Sequence, residues 1–178
     1  MILEKEESEA LDHPRFTADK PEYLASHRSL AACQRELARL TTTLTKEVEA
    51  IADREGETST IRRTPDRCIL QLGPVAITVA WLRTTVDSVA EGRLLVMVWR
   101  GTIAGRTKFT PERPSTMPLA GSATIEWQDT LSAEATSEES WVWRGEAKGH
   151  AGFTSDALAQ LCMTKLRATL DSIRKAAA

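Results

Sequence analysis

At 178 residues, 42% apolar and 27% charged, the chain is long enough to bury one ordinary core and has the balance of a soluble globular domain. No apolar run reaches the roughly 18 residues of a membrane span, and Cys33, Cys68 and Cys162 form an odd set at wide spacing, which argues against a disulfide framework and for free thiols in a cytoplasmic setting. Residues 1–60 carry 8 basic against 13 acidic side chains, 61–113 carry 9 against 4, and 114–178 carry 6 against 8, as expected of a sheet with arginines at its strand ends between acidic helices.

Residues 1–20 are acidic and show no hydrophobic period, so a loose tail is expected, without the apolar segment of a secretory signal. A single domain is then expected over 21–178. Its first element is a helix from about Pro21 to Arg54, with Asp19 as N-cap and Gly56 as its stop. Along it Leu30, Leu37, Leu44 and Ile51 recur every seven residues, with Cys33 and Leu40 between them. That narrow seam suits packing on a sheet or docking a second chain.

From Ser59 the period changes to two. Strands are predicted at Ile61 to Arg63, Cys68 to Leu72, Val75 to Arg83 and Arg93 to Arg100, with Gly73-Pro74 as a tight turn. Val75, Ile77, Val79 and Trp81 share one face of the third run, while Ala76, Thr78, Ala80 and Leu82 share the other. Leu94 to Trp99 has no polar face at all, so both runs are expected in the middle of a sheet covered on both sides. Pro111, Pro114 and Pro118 make 101–121 a long connection, with a short edge strand near Thr107 to Thr110. Ala123 to Gln128 and Trp141 to Lys148 form a closing hairpin around the acidic, Ser/Thr-rich tip LSAEATSEES. The last helix opens at Phe153-Thr154-Ser155-Asp156 and carries the stripe Leu158, Leu161, Cys162, Leu166, Leu170 and Ile173.

This order of elements predicts an α+β fold. A largely antiparallel sheet of about five or six strands is flanked by a long N-terminal helix and an amphipathic C-terminal helix. The C-terminal helix lies on one face, and the N-terminal helix covers the other or reaches toward a partner.

The residues offer little chemistry. Only His13, His27 and His150 are available for acid–base work, and His150 lies in a glycine-flanked connection where it would have to meet Cys68 or Cys162. Neither zinc-ligand spacing nor a dinucleotide fingerprint is present, and no cofactor is implied. The leading expectation is a non-enzymatic binding or assembly module whose partner is another protein or a second copy, docked on Leu30, Leu37, Leu44 and Ile51. A second reading is a nucleic-acid-binding domain using Arg83, Arg100, Arg106, Lys108 and Arg113. A third is a small-molecule or enzymatic pocket near His150 lined by Trp81, Trp99, Trp127, Trp141 and Trp143.

Overall fold

The computed structural model describes residues 21–83, 88–103, 123–146 and 152–178. Six strands form one antiparallel sheet in sequential order: β1 (Ser59–Thr64), β2 (Arg67–Leu72), β3 (Val75–Leu82), β4 (Arg93–Arg100), β5 (Thr124–Ala135) and β6 (Trp141–Gly145). Three helices accompany it: α1 (Pro21–Leu24), α2 (His27–Glu55) and α3 (Ser155–Ala177). The expected α+β class is therefore what the chain adopts. The tail at 1–20 and most of the 101–121 connection, with its expected edge strand, lie outside the described residues, as does Asp19.

The N-terminal helix is broken where one continuous element was expected. Ser26 has an extended backbone, and its hydroxyl accepts the amide of Ser29 at 3.2 Å, so it caps α2 and leaves α1 as a separate turn. Gly56 ends α2 in the left-handed region at φ 67°, as its sequence position suggested. Thr154 caps α3 by accepting the amide of Ala157. β5 runs seven residues beyond the predicted Gln128, through part of the supposed hairpin tip. The reason is legible afterwards: Leu131, Ala133 and Ala135 continue the period-two pattern and pair with Gly145, Trp143 and Trp141.

Both helices lie on the same face of the sheet, which corrects the expectation of one helix per face or a helix reaching away. They run side by side in the same direction. Arg39 of α2 meets Asp156 at the start of α3, and Arg174 near the end of α3 meets Glu55 and Glu57 at the end of α2. Beneath them, the inward side chains of β2, β3 and β4 (Leu70, Leu72, Ile77, Leu94, Val96 and Val98) are fully buried with Leu40, Leu44, Leu158 and Leu166. Each such leucine is worth about 2–5 kcal/mol against truncation to alanine.

The opposite sheet face carries Ile69, Gln71, Ala76, Thr78, Ala80, Leu95, Met97, Trp99 and Ile125, and no described helix packs on it. Small residues at its centre are shielded from within the sheet. Gln71 and Trp99 flank Ala76 in register, and the Trp99 indole N–H donates to Thr78 Oγ1 at 3.1 Å. Gln71 is itself buried. Its amide nitrogen donates to the carbonyls of Gly73, Val75 and Gly101, and its oxygen accepts the amide of Ile103. One side chain thus ties the β2–β3 turn to the segment leaving β4, which keeps a buried polar group satisfied.

Candidate functional site

The seam expected to dock a partner is used inside the chain. Leu37, Leu44 and Ile51 are buried at 8%, 0% and 0% exposure, and Leu30 packs partly buried against the same core. These side chains are packed into the protein's own core.

Of the basic residues expected to read nucleic acid, the two described ones, Arg83 and Arg100, stand at opposite ends of the sheet. Arg83 follows β3 and pairs with Asp66 at 3.1 Å. Arg100 ends β4 at the other end of the sheet, on the helix side, where it pairs with Glu126 at 2.6 Å and reaches Ser172 of α3. Arg106, Lys108 and Arg113 lie outside the described residues.

Four of the five tryptophans share the helix-covered face, but they do not form an open groove. Trp81, Trp141 and Trp143 are buried, and Trp81 meets Trp143 edge-on with ring centroids 5.8 Å apart. Tyr23 of α1 stacks on Trp141 at 6.3 Å and donates its hydroxyl to the Glu138 carbonyl. Trp99 stands alone on the opposite face. Trp127 is half-buried at the edge of a cleft of about 250 Å³ between β5 and α3, with Lys165 6.0 Å above its ring. A register shift at Val98/Trp99 leaves Glu126 without a strand partner, and this places it against Arg100.

A second cleft, of about 330 Å³, lies between the first half of α2 and the β1–β2 turn. Gln34, Leu37, Ala38 and Thr41 line it from α2 at helical spacing, opposite Arg63, Asp66, Cys68 and Val79. Sequence reasoning placed Leu37 in a seam and Arg63 in a basic segment. Only the docking of α2 across the hairpin brings them together.

His13 and His150 lie outside the described residues, so the proposed thiol–imidazole meeting does too; His27 begins α2, exposed. All three cysteines are free and buried. Burial pushes the Cys33 and Cys162 thiols up to about 12 and raises that of Cys68, which the Arg63 guanidinium opposes. Burial thus favours the protonated thiol at all three positions. Because unfolded thiols ionise first, the stabilisation is complete below their ordinary value of 9.0 and is lost as pH rises toward about 12. Urea midpoints are expected to fall between pH 8 and 10, by about 1 kcal/mol per thiol. Replacing Cys33 and Cys162 by alanine should flatten that alkaline limb relative to the parent.

Among the described residues no three His, Cys, Asp or Glu side chains gather as a metal set, and no helix is long and apolar enough to cross a membrane. Comparison with protein-family models, with curated proteins and with solved structures finds no match to this chain.

Proposed function

We propose that the protein is a non-enzymatic binding and assembly module that pairs with a second copy of itself through the sheet face on which no described helix packs. One observation carries this reading. Leu82 and Ile125, exposed at 48% and 46%, are the two large exposed hydrophobics among the described residues, and both lie on that face. Between them run the half-buried Leu95, Met97 and Trp99, and the middle of the face holds no charged side chain.

Size and symmetry support a second copy as the occupant. A six-stranded face with eight-residue central strands measures about 27 Å by 24 Å, roughly 650 Å², against about 800 Å² per partner in a standard interface. Its apolar centre, with charged side chains such as Arg62, Arg67 and Arg93 only toward the edges, can meet the same patch of a second copy across a two-fold axis, and sheets commonly pack face to face about 10 Å apart.

The test is light scattering behind size-exclusion chromatography across a dilution series. The parent is expected to elute as a dimer at micromolar concentration. The double variant Leu82→Glu/Ile125→Glu is expected to be monomeric, with association weakened about a hundredfold or more by the two desolvated carboxylates. Both positions are already exposed, so the variant monomer should stay folded, and its unfolding midpoint should fall below the parent's only by the concentration-dependent part that dimerisation adds. A parent that stays monomeric at every concentration overturns the reading. A nucleic-acid reading would instead show a mass increase only with added single strands at low salt.

A further inference from the structure

The cleft between α2 and the β1–β2 turn lies on the opposite side of the sheet from the proposed interface, and its chemistry points to a ligand. It holds about 330 Å³, within the range of small-molecule sites, and its floor is apolar: Leu37 at 8%, Cys68 at 1% and Val79 at 1% exposure. Ala38, Thr64 and Pro65 are exposed at its edge, so the floor opens to solvent along one side.

The polar groups are few and unbalanced. Asp66 is the one acid in the lining, and Arg83 already engages it. Arg63 projects from β1 toward the helix side, in register with Cys68, and has no carboxylate partner among the described residues. It is nonetheless held in place. Its Nη2 donates to the Thr41 carbonyl at 3.3 Å and to Thr45 Oγ1 at 3.0 Å, both on α2. The same guanidinium stands beside Cys68 on the cleft floor, so it is already oriented there, which lowers the entropy cost of capturing an anion.

We infer that this cleft binds a small amphipathic carboxylate, its apolar tail against Leu37, Cys68 and Val79 and its carboxylate on Arg63. A planar two-oxygen head matches the guanidinium geometry, and a tail is needed to use the apolar floor. Gln34 at the rim supplies an amide for a polar substituent.

The test uses decanoate, decanol and acetate as separate probes in amide-resolved NMR titrations of the full chain, below micelle-forming concentration. Decanoate is expected to shift the Leu37, Ala38, Cys68 and Val79 amides saturably, binding at least about tenfold more tightly than decanol or acetate. Arg63→Gln should abolish that preference over decanol. Arg62→Gln, the same charge change on the opposite sheet face, should leave it intact. Ala38→Trp, a substitution at an exposed helix position that fills the cleft, should remove all three responses. Equal affinity for decanol and decanoate, an unchanged preference in Arg63→Gln, or no saturable shift in the parent would each overturn the assignment. None of these outcomes depends on the oligomeric state.

Discussion

Replacing Trp143 by alanine is expected to lower the free energy of unfolding by about 3–5 kcal/mol, read from urea denaturation. Trp143 is 1% exposed and packs edge-on against Trp81 at an interplanar angle of 67°. Such a pair contributes about 0.5–1.5 kcal/mol beyond burial alone. Its indole N–H donates to Ser155 Oγ at 3.0 Å, and that hydroxyl in turn donates to Glu36 Oε2 at 2.6 Å. The same residue exchanges two backbone hydrogen bonds of 2.8 Å with Phe153, so β6, the segment leading into α3 and α2 all converge on it. Trp143→Phe should keep most of the packing and lose the N–H donor, costing about 1–2 kcal/mol. Trp141→Phe should cost less, because the Trp141 indole N–H is buried without an acceptor among the described residues. If Trp143→Ala unfolds within about 1 kcal/mol of the parent, this junction is not a centre of stability.

A single methyl group at Gly92 is also expected to destabilise the fold. A Cβ there would stand 2.2 Å from Trp81 Cζ2 and 2.6 Å from Cη2, so the ring must move. Trp81 is 5% exposed and packs edge-on against Trp143, so the ring is confined on that side. Overpacking of this kind costs about 1–3 kcal/mol or more. The near-ultraviolet circular dichroism of the Trp81–Trp143 pair should change with it. Gly56→Ala provides the contrast. Its Cβ would meet nothing within 4 Å, but the backbone sits at φ +67°. That variant is expected to lose about 1 kcal/mol through backbone strain, with the aromatic signal unchanged. A Gly92→Ala protein with parental stability and spectrum would mean that Trp81 does not lie over residue 92.

What the sequence made legible was whatever a short stretch of chain decides for itself. β4 begins at Arg93 and ends at Arg100 as its unbroken apolar run implied, and Gly56 and Thr154 mark helix ends through their own backbone and side-chain chemistry. What stayed hidden depends on contacts between distant residues. The doubly apolar strands suggested cover on both faces, yet both described helices pack on one, and Gln71 and Trp99 flank Ala76 on the other. No pattern in α2 says which face it chooses. Arg63 and Ala38 are 25 positions apart and come to line one cleft only after α2 crosses the β1–β2 hairpin. The exposed pair Leu82 and Ile125 likewise becomes a feature only once register puts both on one face.

The strictly sequential strand order also sets the timetable by which the chain acquires its structure. Every sheet pairing joins neighbours along the chain, so the sheet needs no crossover, and only the β4–β5 pairing must close a long connection. The pairing of α2 with α3 is different: Glu36 and Ser155 meet across 119 positions. On a ribosome, α2 and all six strands emerge before α3 does, and until then the inner faces of β4, β5 and β6, with Leu94, Leu131 and Trp143, have no cover from that helix. A nascent chain stalled just before Ser155 would therefore present a greasy half-roofed sheet, the state in which chaperone capture and misassembly compete with completion.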